Sequence, residues 1–206
     1  MQIAMIGWGS LIWCPGCLRI KSNWHSDGPP LPIEFARIST DQRLTLVIHP
    51  GSPDQRTYWA LSEFETLNDA RENLGDREGT KDLKNIHSLT ATGKQLGEID
   101  RQILTKIRRW LKTQKNLEAA IWTGLRSNWE SCRGRFRPED AVKYVRELEC
   151  AKNNAKEAFD RAREYIRNTP AQIQTPVRVR LGKMKGWKDA TLPTILFAST
   201  NTKSRS

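Results

Sequence analysis

The stretch Ile6-Gly7-Trp8-Gly9-Ser10-Leu11-Ile12-Trp13 decides the fold of this chain, because it joins an apolar segment to a sharp turn. Residues 1–6 are apolar and predict a buried first strand. Two glycines around a bulky aromatic residue let backbone N–H groups face outward and approach a ligand closely. Such a group of amides suits a carboxylate or a developing oxyanion. The alternative is a tight turn between core strands, with Trp8 and Trp13 packed inside.

A strand followed by Gly7-x-Gly9 also suggests the dinucleotide-binding fingerprint. That fingerprint needs a third glycine at position 12, where this chain has isoleucine. Pro15 and Gly16 interrupt the helix that would have to follow. We therefore reject a Rossmann-type site and expect no cofactor.

The rest of the chain alternates between strand and helix patterns. Strands are predicted at 34–39, 44–49, 57–61, 86–90, 119–123, 177–181 and 194–198. Helices are predicted after a capping box at 62–65, at 98–113, from Pro138 and at 155–166. Gly75 is expected to end the first helix, and residues 26–32, rich in proline, are expected to form a loop. This order of elements indicates the α+β class.

Composition places the chain among small soluble domains. Its 206 residues fit one domain, and eight tryptophans add large apolar surfaces to a hydrophobic content of 37%. No run of about 18 apolar residues exists, which argues against a membrane span. Residues 1–6 lack the basic leader and cleavage site of a signal peptide, so a cytoplasmic location is expected.

The charge of the chain favours anionic partners. The formal net charge is +11 at pH 7. Basic residues surround a tryptophan at 101–115 and again at 178–188, and such mixtures can bind nucleic acid. The alternative, which we favour, is that both segments are solvated charged faces.

Four cysteines are present, and Cys14 and Cys17 have the spacing C-x-x-C. A redox motif would require a helix to begin there, and Pro15 and Gly16 argue against one. A zinc site needs four ligands, and His25 is only a conceivable third. We therefore expect buried or idle thiols, no metal site and no disulfide framework.

Two motifs carry a resemblance to a known family. Residues 6–13 are similar to the opening of the gamma-glutamylcyclotransferase family, where a strand leads into Tyr-Gly-Ser-Leu. Trp8 stands where the family usually has tyrosine, and an indole N–H only donates. The resemblance implies a substrate-binding turn formed by Gly7, Trp8, Gly9, Ser10 and Leu11.

The second motif, Leu74-Gly75-Asp76-Arg77-Glu78-Gly79, resembles the family's Leu-Asp-x-x-Glu-Gly stretch after a helix. The match implies that Glu78 is the catalytic glutamate. Glu72 is the competing register, but a position within the helix favours a solvated side chain there. The glycine after Glu78 supports the first alignment.

The resemblance covers about residues 1–95 and, loosely, 171–198. It implies a single domain over 1–198 with a small mixed β-barrel or sheet. Residues 96–170 do not match the family pattern and are expected to form a mainly helical insertion, and the polar tail at 199–206 is expected to be mobile. The implied activity is that of a transferase or lyase that needs no cofactor and acts on a small molecule or peptide. Glu78 would act as general acid/base while a gamma-glutamyl amide cyclises and releases an amine. The alternative is a non-catalytic protein of the same fold that binds nucleic acid or another anion through its basic surface.

Overall fold

The computed structural model describes residues 1–150 and 154–187, which form a mixed α+β structure. The strands are β1 Ile3–Gly7, β2 Pro30–Ile38, β3 Leu44–Ile48, β4 Asp54–Arg56, β5 Tyr58–Leu61, β6 Ile86–Thr90, β7 Gln95–Leu96 and β8 Ala119–Thr123. The helices are α1 Leu67–Glu78, α2 Arg101–Thr113, α3 Trp129–Arg133, α4 Pro138–Cys150, α5 Asn154–Asn168 and α6 Pro176–Gly182, with a 3-10 turn at Leu83–Asn85. The α+β class predicted from the sequence is confirmed.

The larger sheet has the strand order β5-β1-β8-β6-β7. Strand β1 is antiparallel to β5 and parallel to β8, which in turn is antiparallel to β6. The segment 96–170 holds four of the six helices among the described residues, α2 to α5. It also supplies β8, the middle strand of this sheet, so the segment is an integral part of the core.

The smaller sheet has the order β3-β2-β4. Its β2–β3 hairpin turns through residues 39–43, where Gln42 adopts a positive φ of 63°. The two strands predicted at 34–39 and 44–49 are thus confirmed, and they pair as a hairpin. The loop predicted at 26–32 is wrong from Pro30 onward, because β2 begins there and pairs with β4. Proline is tolerated at the first residue of a strand, where it removes no essential ladder bond.

Both faces of the larger sheet are buried, and alternate residues of β1 divide between them. Ala4 and Ile6 join a large cluster that also contains core residues of α2, α4 and α5. Ile3 and Met5 join a smaller cluster that contains Ala70 and other core residues of α1. This two-sided burial explains why β1 reads as a continuous apolar run.

Helix α1 differs at both ends from the sequence-based expectation. Thr66 is the N-cap, and its hydroxyl accepts a hydrogen bond from the Asp69 amide. The capping box predicted at 62–65 is therefore wrong. Gly75 lies inside the helix, where close packing leaves little room for a larger side chain. Gly79, with φ of +67°, ends the helix instead, because the left-handed conformation favours glycine.

The strand predicted at 177–181 is helix α6. Thr175 caps it by accepting a hydrogen bond from the Arg178 amide, and Pro176 occupies the first turn. The spacing of Val177 and Leu181 buries both side chains on one helical face. The strand predicted at 194–198 and the tail lie outside the described residues. None of the helices among the described residues is long and apolar enough to cross a membrane.

Candidate active site at Glu78

The first turn, the β2–β3 hairpin and the end of α1 surround a cavity of about 300 Å³. Trp8, Gly9, Ser10 and Leu11 contribute one wall. Residues 37–47 contribute the opposite wall, and α5 adds Tyr165. The cavity thus joins elements that are far apart in the sequence.

Glu78 is the last residue of α1 and lines this cavity. Only 16% of its side chain is exposed, and its carboxylate lies 3.0 Å from the Arg77 guanidinium. Glu72, the competing candidate, is exposed on the same helix, where its carboxylate accepts a hydrogen bond from Asn68. Of the two glutamates, Glu78 is the one at the cavity.

Burial raises the pKa of Glu78 above its ordinary value, because a carboxylate loses hydration in a desolvated site. The charge and hydrogen bond of Arg77 oppose this effect and lower the pKa. Burial is the larger influence. Its result is a carboxyl group that takes up and releases a proton closer to neutral pH than an exposed glutamate does.

Arg77 connects Glu78 to the first turn. One guanidinium nitrogen donates to Glu78, and another donates to the Ser10 hydroxyl at 2.9 Å and to the Cys14 carbonyl at 2.8 Å. Only 14% of the Arg77 side chain is exposed. Arg77 lies within the second motif, but the resemblance implies no role for it.

Tyr165 is a second residue that the sequence analysis missed. A Cβ atom added at Gly9 would lie 2.4 Å from the Tyr165 hydroxyl, so the close approach of the phenol requires glycine there. Burial raises the pKa of Tyr165, and the charge of Glu78 raises it further. The Ser10 backbone amide, through a hydrogen bond, acts in the opposite direction. The phenol therefore stays protonated beside the turn.

Tyr165 is fixed in place by other aromatic residues. Its ring makes an edge contact with Trp13 at 5.2 Å between centroids and with Phe35 at 6.2 Å. The Arg43 guanidinium lies over the ring, 5.2 Å from its centroid. This packing holds the hydroxyl at the cavity wall. No spacing pattern in the sequence links α5 to the first turn.

The predicted turn residues divide into two groups. Gly9, Ser10 and Leu11 line the cavity, and the N–H groups of Gly9 and Leu11 have no acceptor within the part of the chain that the structure describes. Gly7 is absent from the lining, because its Cα faces the Trp24 ring at close range. Trp8 lines the cavity and is also a core residue, 6% exposed.

Trp8 thus fits both interpretations of the first turn, because it lines a cavity and is also packed in the core. Its indole N–H donates to the Leu46 carbonyl at 3.4 Å, so that donor is already occupied. The ring thus forms part of the wall while its polar atom is committed to the protein.

Cys14 and Cys17 are exposed and form no disulfide. They line a groove that adjoins the cavity at Ser10 and Arg77. Across residues 1–150 and 154–187, no group of three or more histidine, cysteine or acidic side chains is placed to hold a metal ion.

Neither a protein-family model nor a curated protein nor a solved structure matches this chain.

Proposed function

We propose that this chain is a gamma-glutamylcyclotransferase-like enzyme that converts a gamma-glutamyl amide into 5-oxoproline and a free amine. One observation carries the proposal. The largely buried carboxylate of Glu78 lines a cavity together with Gly9 and Leu11, whose main-chain N–H groups have no acceptor among the described residues. A proton acceptor and donors for an oxyanion or carboxylate thus share one small site.

The reaction can proceed with these groups alone, a carboxylate that transfers a proton and N–H groups that bind an oxygen. The free α-amine of the substrate attacks its own γ-carbonyl carbon, a C–N bond closes the lactam ring, and the original amide C–N bond breaks. Glu78 accepts the proton that the attacking nitrogen loses and returns it to the departing nitrogen. Because the attack is intramolecular, a cavity that holds the substrate chain folded removes much of the entropic barrier.

The neighbours of Glu78 have separate roles in this proposal. Arg77 holds the carboxylate in place and, through its hydrogen bond to Ser10, fixes the turn relative to α1. The N–H groups of Gly9 and Leu11 donate to the substrate carboxylate or to the oxygen that gains charge as the ring closes. Protonated Tyr165 supplies a further neutral donor at the same wall.

We also propose that the two sheets correspond to the small mixed β-barrel of the gamma-glutamylcyclotransferase family. The supporting feature is the sequence of elements from β1 through the hairpin and α1 to the glutamate. The residues described here form two separate sheets and no closed barrel.

The test is release of 5-oxoproline from a panel of gamma-glutamyl amines and gamma-glutamyl peptides. We expect wild-type protein to turn over at least one member, and Glu78→Gln to lose about 10³-fold in kcat, within the usual range for a general acid/base. Glu72→Gln is the matched control, because it changes an exposed glutamate of the same helix. Absence of product across the panel, or equal rates for wild type and Glu78→Gln, contradicts the proposal.

A second candidate function, binding of nucleic acid, is favoured by the exposed face of α2. Arg101, Arg108 and Lys112 share one face by their spacing, and Arg109 lies beside them. None of the four makes an ion pair with any residue in the described ranges. A row of unpaired cations of this kind can neutralise phosphates.

Fluorescence anisotropy with a labelled single-stranded DNA tests this second candidate. Binding should weaken with salt, and Arg108→Glu/Lys112→Glu should reduce the salt slope by roughly two, one for each lost phosphate contact. Undiminished binding by the double variant would contradict a role for this face.

A further inference from the structure

A second cavity, of about 750 Å³, lies next to the Glu78 cavity, and the two have only Leu125 in common among their lining residues. The end of β8 separates the two. Thr123 lines the Glu78 cavity, whereas Trp122 and Gly124 line the second one. Leu125 lines both and forms the partition. This second cavity has the volume of a small-molecule site.

The polar centre of the second cavity is His87, the second residue of β6. Only 8% of His87 is exposed. Its imidazole lies between two glycines, and a Cβ atom would come within 2.2 Å of the ring at Gly97 and within 2.3 Å at Gly124. The ring also contacts the edge of Trp122. The histidine is therefore held in one position by its surroundings.

The imidazole of His87 makes no hydrogen bond to any side chain or backbone group of the described residues. A buried polar group usually has a hydrogen-bond partner, because leaving it unpaired is costly. An imidazole that is fixed, unpartnered and at a cavity wall is a hydrogen-bonding position for a molecule that enters the cavity. We therefore treat His87 as the recognition group of this site.

The surroundings of His87 favour its neutral form. Burial lowers the pKa of His87 most, and the charges of Arg126 and Arg71 lower it further, while Glu98 acts in the opposite direction. A neutral imidazole carries one donor and one acceptor. It can bind a hydroxyl or an N–H group of an uncharged ligand.

The walls restrict the ligand further. Ile103 and Trp122 are buried at the cavity, and partly buried Ile99 adds another apolar wall. Arg126 and Glu98 at the rim pair with each other at 2.5 Å, so their charges already compensate one another. Asp100 also lines the cavity and adds an exposed carboxylate, which disfavours an anionic guest, and the apolar walls favour an uncharged one.

We propose that the second cavity binds a small uncharged aromatic molecule that carries one hydroxyl or N–H group, which hydrogen-bonds to His87. The aromatic ring packs against Trp122 and the isoleucine walls. This site is independent of the chemistry proposed at Glu78.

The test uses phenol as the probe and the side-chain nitrogens of histidine as the readout. The chain has three histidines, so long-range ¹H–¹⁵N NMR spectra resolve them, and His87→Gln identifies the His87 signals. Phenol should shift the His87 signals and leave those of His25 and His49 in place, with a Kd on the order of 1 mM for so small a ligand. Toluene, which lacks the hydroxyl, should bind about tenfold more weakly. Benzoate should also bind more weakly than phenol.

Ile99→Trp is the second variant, because a larger side chain at the partly buried mouth should block entry without disturbing the fold. Phenol should then no longer shift His87. Unchanged His87 signals in wild-type protein, or shifts that persist in Ile99→Trp, would overturn the proposal. Tighter binding of benzoate than of phenol would also overturn it, since the site would then select an anion.

Discussion

Each cavity contains one ionisable side chain to which we give a chemical role, Glu78 in the first and His87 in the second, and the protein holds the two in different ways. Burial raises the pKa of Glu78 and lowers that of His87, and in each case it favours the neutral form. Glu78 lies at a helix end and is tied by Arg77 to a hydrogen-bonded turn. His87 lies within a strand, between glycines and apolar walls. In our proposals, the proton-exchanging Glu78 is therefore paired with a charged neighbour, whereas the ligand-binding His87 has no hydrogen-bond partner among the described residues.

Matched amide substitutions should produce the largest contrast between the two cavities. Glu78→Gln removes the proposed proton acceptor, and we expect turnover to fall about 10³-fold. His87→Gln leaves that acceptor untouched and should reduce turnover by less than about tenfold. The measurement is kcat for 5-oxoproline release. Equal losses in both variants would mean that the two cavities act as one site.

Alanine at a supporting glycine should produce the next largest effect, measured as the free energy of unfolding. At Gly124 the new methyl group would lie within 2.4 Å of three His87 ring atoms. At Gly9 it would meet only the Tyr165 hydroxyl at 2.4 Å, the next atom being 3.5 Å away. We expect a loss of roughly 2–3 kcal/mol for Gly124→Ala and roughly 1–2 kcal/mol for Gly9→Ala.

Removing the obstructing atoms provides the control for this pair of variants. Tyr165→Phe should restore most of the stability lost in Gly9→Ala, since the hydroxyl alone causes the collision. His87→Ala should do the same for Gly124→Ala. A double variant that is as unstable as the sum of its parts would show that contact with the aromatic or imidazole group is not the cause.

The fold was predictable wherever the pattern was local. The apolar run of β1, the β2–β3 hairpin and the helical spacing of α2 all appear in short windows of sequence. The strand predicted at 177–181 was wrong for a physical reason. Val177, Val179 and Leu181 alternate as in a strand, but Val179 is 41% exposed while the other two are buried one helical turn apart. The cap at Thr175 and Pro176 was the signal that favoured a helix.

The candidate site was predictable only in part. The two motifs predicted Glu78 and the turn at residues 7–11, because each motif is a short local pattern in the sequence. Tyr165 reaches Gly9 through tertiary packing of α5, and no local pattern reports such a contact. No local pattern in the sequence singles out His87, and only the fold brings Gly97 and Gly124 to its ring.

Removing one arginine from each cavity should raise the pKa of the ionisable group there. Arg77 lowers the pKa of Glu78, so Arg77→Met should raise that pKa and move the acid limb of the pH–rate profile to higher pH. Arg126 lowers the pKa of His87, so Arg126→Met should raise it, as NMR titration would measure.

Arg77→Met should shift the pKa of Glu78 by more than Arg126→Met shifts the pKa of His87. The reason is that 71% of the Arg126 side chain is exposed, so solvent screens its charge. A larger shift for His87 than for Glu78, or a shift of either pKa downward, would contradict this account of the two electrostatic environments.

The smallest effect should be the contribution of His87 to the pH dependence of stability. Because the folded-state pKa of His87 lies below its unfolded value, the unfolded chain binds more protons as the pH falls through about 6.5. The stability that the neutral imidazole contributes is complete above that value and is lost as the pH falls toward the folded pKa. His87→Gln should therefore lose less stability than wild type between pH 7 and pH 5 in chemical denaturation.

The comparison with wild type isolates His87 from the other buried groups, which both proteins share. His49 also has a pKa lowered by burial and acts in the same direction. Glu34 and Glu78 have pKa values raised by burial, and they gain stability as the pH falls through those raised values. These contributions cancel in the difference between His87→Gln and wild type. If that difference is zero, or if the variant loses more stability at pH 5, the imidazole is not buried in its neutral form and the contrast between the two cavities fails at His87.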